Sequence, residues 1–334
     1  MKILVTGGAG YIGSTISSAL IDRGHVPVIV DSLVTGREEF TRGRVFYRAD
    51  IADRAALGRV FREHPDISHA IHCAALIVVP ESVEKPLEYY RENVAKSLEL
   101  FDNLLSLGCT RLVFSSSASI YDVVPGFMVT ESSPLKPSSP YARTKYVMEM
   151  ILADLCRASK MRAIALRYFN PIGADPSMRS GIHVAQPSHV LGRLVAASRG
   201  EIPHFALTGT SWPTRDGTGI RDYIHVWDLA RAHINAVEGF DAAFDRSGEP
   251  SYLVVNLGTG KGVTVRELIR AFERVWGKSV PCVEAPPRPG DVAGAYANGD
   301  RALELLGWKA ELPIDQGIAH ALRWAEVRRS LLKA

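Results

Sequence analysis

The sequence predicts an α/β protein: a parallel sheet wound on both faces by helices, with a smaller α+β lobe over one end. Three observations carry that prediction. Short β-branched runs alternate with longer amphipathic segments through the first half of the chain, as strands joined by crossover helices require. A glycine-rich turn separates the first such run from the first helical pattern. The texture then changes, because Pro171, Gly173, Pro176, Gly181 and Pro187 leave no room for a long strand or helix.

Taken in order, the strands are expected at 2–6, 26–30, 45–48, 67–73, 111–115 and 162–167, each apolar and bounded by polar or turn residues. Helices fill the intervals at 14–23, 54–64, 88–107 and 140–160, where apolar residues recur three and four apart. Right-handed crossovers make such a sheet parallel and put a ligand at the carboxyl ends of its strands. Further on come a strand at 252–256, a helix at 264–276, a proline-rich stretch at 280–289 and a C-terminal helical pair, all read as the lobe. The expected division is 1–170 and 171–334, with 221–240 returning to the first unit.

Composition removes several function classes. The 334 residues are 46% hydrophobic and 22% charged, ordinary for a globular protein. The 39 Lys+Arg against 36 Asp+Glu give a net charge of +3, with no basic run to grip a duplex, so no nucleic-acid partner is expected. The longest apolar stretch, 70–79, is about half a membrane span, and no membrane partner is expected either. Cys73, Cys109, Cys156 and Cys282 lack the close spacing of a zinc site. Reduced thiols, a cytoplasmic location and no bound metal are the expectation.

The first chemical motif is Thr6-Gly7-Gly8-Ala9-Gly10-Tyr11-Ile12-Gly13. In a chain with 28 glycines the pattern arises by chance in about one sequence in five, so its position decides. It follows an apolar strand and opens a helix. Glycines there let a pyrophosphate approach backbone N–H groups at a helix start, which makes the sheet an NAD-binding Rossmann sheet. The second strand runs into Asp31, about 20 residues on, where a carboxylate suits an adenosine ribose and repels a 2′-phosphate. NAD rather than NADP is expected.

The second motif joins Ser117, near the end of the fifth strand, to Tyr141 and Lys145. Ser139 can cap a helix and Pro140 suits its first turn, so Tyr141 and Lys145 fall one turn apart on one face. A free tyrosine titrates near pH 10, and a shift of about three units toward neutrality needs roughly 4 kcal/mol. An adjacent ammonium and a positively charged nicotinamide ring can supply it.

With these residues in view, the sequence resembles the extended short-chain dehydrogenase/reductase superfamily and, within it, the UDP-glucose 4-epimerase family. The likeness also runs through 81–90, Arg167-Tyr168-Phe169-Asn170-Pro171, 216–226 and Asn256-Leu257-Gly258-Thr259-Gly260. It implies an isomerase with tightly bound, recycled NAD, in which Tyr141 is the base, Ser117 relays the proton and Lys145 holds the nicotinamide ribose. It implies Gly7, Gly10, Tyr11, Ile12, Gly13, Asp31, Asp50, Ile51, Ala74, Ala75, Asn93 and Tyr168 along the cofactor. Around the UDP-sugar it implies Phe169, Asn170, His189, Arg221, Arg288 and Asp291. A homodimer built from the helices at 88–107 and 140–160 is implied as well.

Three positions depart from the family pattern: Ile77 stands for a lysine, His189 for an amide and Ala295 for a tyrosine found in some members. All three surround the expected hexose. UDP-glucuronic acid or another modified UDP-sugar is therefore an alternative substrate, with Arg179 or Arg193 as carboxylate partner. An ordinary NAD-dependent sugar-nucleotide dehydrogenase and a non-catalytic NAD sensor are the alternatives outside the class.

Overall fold

A computed structural model describes residues 1–184, 187–287 and 291–332. Seven strands form one all-parallel sheet: β1 Lys2–Thr6, β2 Val26–Asp31, β3 Val45–Arg48, β4 Ile67–His72, β5 Arg111–Ser117, β6 Arg162–Tyr168 and β7 Tyr252–Leu257. Their order across the sheet is β7-β6-β5-β4-β1-β2-β3. The chain leaves β1 in one direction to β2 and β3, then returns to the other side for β4. That reversal opens a crevice between the carboxyl ends of β1 and β4, where an open α/β sheet takes its ligand.

The sheet is buried on both faces, and side-chain alternation sorts its residues between them. Ile3, Val5, Ile71, Val113, Ile164 and Leu166 pack with Ile16 and Leu20 of helix α1 (Tyr11–Asp22) and with Leu229 and Val237. Leu4, Val28, Leu112, Phe114 and Ala165 face the other way, onto Leu57, Phe101 and Leu104 and onto Met148 and Leu152 of helix α2 (Pro140–Ala158). Phe101 and Met148, on the helices from which the resemblance implies a homodimer, are thus spent on the protein's own sheet.

Three expectations are corrected. The strand expected in the lobe at 252–256 is Tyr252–Leu257, the outer strand of the main sheet, parallel to β6 in the register Tyr252↔Ala163 to Leu257↔Tyr168. The expected single helix at 88–107 is three pieces, Pro86–Tyr90, a π turn at Arg91–Ala95 and Lys96–Ser106. Strand β5 runs two residues further than predicted and carries Ser117 inside the sheet.

The lobe has its own core, in which Ile172, Leu191, Phe205, Tyr223, Phe272 and Ile318 meet. Its four-stranded sheet runs Val263–Thr264, Ile220–Arg221, Gly294–Ala297, Met128–Val129, so a piece from the first half of the chain completes it. Within the proline-rich stretch, Cys282–Ala285 pairs in parallel with Phe205–Thr208.

Candidate active site

The crevice begins at Gly7, which sits at φ +71, a conformation glycine adopts without steric cost. A Cβ there would stand 2.6 Å from Ala74 N and 2.7 Å from Ala74 Cα, so the turn and the segment after β4 touch backbone to backbone. A Cβ on Gly13 would stand 2.2 Å from Gly7 O. Helix α1 starts at Gly10 with no side-chain cap, earlier than predicted, leaving its first N–H groups to a ligand. Asp31, buried, accepts from Ala9 N at 2.9 Å and Leu33 N at 2.8 Å, which fixes its carboxylate beside the turn. A narrow crevice, an uncapped helix start and an anchored carboxylate fit a dinucleotide's pyrophosphate and ribose.

Two buried hydrogen-bonded groups brace this end of the sheet. Ser97 Oγ donates to Asn93 O at 2.8 Å, so it accepts from His72 Nε2 at 2.9 Å. His72 Nδ1 then accepts from Thr6 Oγ1 at 2.7 Å, and burial pushes the imidazole down to about 3. Asn93 pairs with both the N–H and the carbonyl of Leu76, at 2.8 and 2.9 Å, and donates to Thr144 Oγ1 at 3.1 Å. The π turn thus delivers Asn93 as a strut for the Ala74–Ala75–Leu76 segment. Asp50 pairs with Lys96 at 2.6 Å, Ile51 is buried, and Tyr11 donates to Gly173 O at 2.7 Å.

Helix α2 supplies the reactive side chains. Ser139 Oγ caps it by accepting from Ala142 N at 3.1 Å, and Pro140 occupies its first turn, as predicted. Tyr141 and Lys145 are both buried against the end of β5. Burial raises the Tyr141 phenol above its ordinary value, while the side-chain hydrogen bond it shares with Ser117 works in the opposite direction. Lys145 Nζ donates to Ser115 O at 2.8 Å and stands 5.0 Å over the Phe114 ring. Its ammonium is pushed down to about 8 by burial, with the Glu149 carboxylate acting to hold it up; the nearby Cys73 thiol, raised to about 11 by burial, is uncharged there. Burial dominates in the protein alone; the positive nicotinamide ring, the other half of the expected lowering, arrives with the cofactor. Tyr168 closes the group, half-buried and packed 6.2 Å from His233.

On the lobe side, Phe169 and Asn170 follow β6 directly, and Asn170–Ile172 pairs with Tyr223–His225. Arg221 donates to Ile220 O and Ala293 O at 2.8 Å and to Val292 O at 3.0 Å, beside the half-buried Asp291. Its strand is secured by Asp222, fully buried, which accepts from Thr259 N at 2.8 Å and Ala297 N at 3.2 Å. His189 caps helix Val190–Ser198 by accepting from Gly192 N at 3.2 Å; its buried Nε2 has no partner among the described residues. Arg288 lies outside the described residues. Arg179, expected as a carboxylate partner, is instead committed to Asp22 at 2.7 Å and Asp175 at 2.6 Å. Asp22 is distant in sequence, so the residues around Arg179 give no sign of it.

Missed from the sequence were Cys73, whose Sγ lies 3.2 Å from Ser115 Oγ, and Glu149, paired with Arg167. Glu149 had a signal: an acidic residue one turn past Lys145, between the apolar Met148 and Leu152 of the buried face.

The sheet, the crevice at its reversal and the Tyr-Lys-Ser group beside it define a dinucleotide-dependent enzyme of the short-chain dehydrogenase/reductase kind. The chain belongs to the NAD dependent epimerase/dehydratase family, whose profile matches residues 3–258. Among its relatives, the UDP-glucose 4-epimerase of Bacillus subtilis is 40% identical over 97% of this chain and 96% of that protein. The UDP-glucose 4-epimerase of Azospirillum brasilense is 42% identical over 97% and 91%. The crystal structure of a Stenotrophomonas maltophila UDP-glucose-4-epimerase with bound NAD and formylated UDP-arabinopyranose superposes with TM-score 0.92 at 37% identity, covering 99% of both chains. That of the Bifidobacterium longum enzyme in complex with NAD+ and UDP gives 0.90 at 35%, again over 99% of both.

Proposed function

We propose that Tyr141, Lys145 and Ser117 carry the chemistry of a UDP-hexose 4-epimerase, with the main sheet holding the cofactor and the lobe the UDP-sugar. The protein is an isomerase that inverts C4 of UDP-glucose, with NAD as its cofactor. The convergence of Tyr141, Ser117 and Lys145 at the mouth of the glycine crevice is the observation that carries this reading. NAD, when bound, supplies a reversible hydride acceptor for C4 and a positive charge beside the phenol. Tyr141 Oη takes the proton of the sugar 4-hydroxyl as C4 is oxidised, and returns it when C4 is reduced from its other face. Ser117 Oγ hydrogen-bonds that oxygen and relays its proton. Lys145 holds the nicotinamide ribose and favours the phenolate. Gly7, Gly10, Tyr11, Ile12 and Gly13 line the pyrophosphate, Asp31 the adenosine ribose, Asp50 and Ile51 the adenine. Phe169, Asn170, His189, Arg221, Arg288 and Asp291 anchor UDP; an anchor that ignores C4 lets the ketone turn over.

The hexose pocket is expected to be wide. Ile77 is 61% exposed, so it adds no core packing where the family pattern has a lysine, and Ala295 pairs with Arg221 where a tyrosine would intrude. A UDP-N-acetylhexosamine or UDP-glucuronic acid is then a substrate beside UDP-glucose. Arg193 is the partner left for an anionic C6. A homodimer is inferred from Val83, Leu87, Leu98 and Met150, all exposed on or beside the paired helices. No helix among the described residues is long and apolar enough to cross a membrane. A cytoplasmic location is inferred from four unpaired cysteines. The test is to incubate the purified protein with each UDP-sugar, without added NAD, and follow C4 by NMR. Inversion is expected; stoichiometric demand for added cofactor would indicate a dehydrogenase, and no turnover of any UDP-sugar would remove the reading.

A further inference from the structure

Behind the reactive group lies a buried charged network that the proposed chemistry does not use. Glu149 stands on α2 one turn beyond Lys145 and two beyond Tyr141, on the same face. Its carboxylate receives Arg167 of β6 through Nε at 2.9 Å and Nη2 at 2.6 Å, and Ser116 of β5 donates to it through Oγ. Both charged side chains are 5% exposed. Arg167 Nη1 donates onward to Tyr121 OH at 2.9 Å, and Tyr121 OH donates to Asn256 Oδ1 of β7 at 2.7 Å. One carboxylate therefore ties α2 to β5, to β6 and, through Tyr121, to β7. Ser116 is the residue before Ser117, so the tie reaches the two elements whose relative position sets the Tyr141–Ser117 contact.

A buried ion pair is weak evidence for stability, since well-packed apolar replacements are often as stable. Fixing a geometry is the better account of its presence here. We propose that Glu149, with Arg167 and Ser116, is a positioning device for the reaction: it sets α2 against β5, and it keeps a negative charge one turn from Lys145. The inference rests on the functional reading above. The titratable groups facing Lys145 are His72 at the end of β4, Cys73 just after it, and Glu149 of its own helix, with the Ser115 carbonyl and the Phe114 ring of β5 completing its surroundings. Of these, Glu149 is the acid positioned to keep the ammonium protonated.

Two variants separate positioning from bracing. Ser116→Ala cuts the tie to β5 and leaves the ion pair whole. Glu149→Gln with Arg167→Met removes both charges together, so no buried charge is stranded. Holoprotein carrying lysine labelled with ¹³C at Cε reports Lys145 directly, its signal assigned through Lys145→Arg. In the double variant the Lys145 midpoint is expected to fall by roughly half a unit or more. In Ser116→Ala, kcat for UDP-glucose is expected to fall about tenfold, with KM and dinucleotide content unchanged. An unchanged Lys145 midpoint, or variants that lose thermal stability while kcat and its pH profile stay as in the parent, would overturn the proposal. The lysine titration tests the charge placement even if the parent protein fails to turn over UDP-glucose, an outcome that would fall on the functional reading instead.

Discussion

Replacing Gly7 by alanine tests the crevice at its narrowest point. The residue sits at φ +71, where an L side chain costs about 1–2 kcal/mol. Its new Cβ would lie 2.6 Å from Ala74 N and 2.7 Å from Ala74 Cα, atoms that cannot swing away as a side chain can. The strands on either side are locked through Thr6↔His72, so β1 and β4 must part by several tenths of an ångström. Overpacking of this kind adds about 1–3 kcal/mol. The expected loss is about 3 kcal/mol, or roughly 6 °C in Tm for a protein of this size. Gly24 is the control: it shares the left-handed conformation at φ +78 but has nothing within 4 Å of an added Cβ. Gly24→Ala is expected to cost about 1 kcal/mol and to leave cofactor content untouched. The assay pairs scanning calorimetry with dinucleotide released on denaturation, which in Gly7→Ala is expected to fall about tenfold, equivalent to about 1.4 kcal/mol. Equal losses for the two variants, with full dinucleotide content in both, would refute the assignment of this turn.

Other outcomes follow from the same geometry. Tyr141→Phe keeps the volume and removes the base, so turnover is expected to drop by about 10³ while UDP-glucose still binds by calorimetry; near-normal turnover would reassign the base. Asp31 is expected to favour NAD over NADP by roughly a hundredfold, and Asp31→Ala to narrow that gap; equal affinities in the parent protein would remove its role. His72 is held neutral, with its pKa pushed down to about 3 by burial. The unfolded chain takes up a proton near pH 6.5 that the native state refuses, so stability is complete above that pH and falls as pH drops toward 3. This group contributes about 1.4 kcal/mol per pH unit, and urea midpoints between about pH 6.5 and 4 should fall less steeply in His72→Asn. The same slope in both proteins would contradict the hydrogen-bond pattern assigned to it.

What the sequence made legible was local. Ser139 and Pro140 mark a helix start by their own chemistry, and Tyr141 and Lys145 then share a face by spacing alone. Gly7 to Gly13 read correctly because strand, turn and helix are contiguous. The rest depends on contacts made across the fold. The π turn at Arg91–Ala95 leaves the apolar spacing of its helix nearly continuous, and its extra residue is set by Asn93 reaching Leu76. Strand β7 returns to the main sheet after the whole first part of the lobe, which no periodicity announces. Arg179 reads as an available cation until Asp22, on the first helix, is brought to 2.7 Å. Burial of the Tyr141 phenol, which opposes its ionisation, is likewise absent from a sequence.

The most direct test of the central claim is the fate of the C4 hydrogen. UDP-glucose carrying deuterium at C4 is incubated with the purified protein, without added cofactor, and the UDP-galactose formed is read by NMR and mass spectrometry. Hydride transfer from C4 and back, with Tyr141 moving only the hydroxyl proton, predicts that deuterium is retained at C4 of the product. Replacement of that deuterium by solvent hydrogen would contradict it.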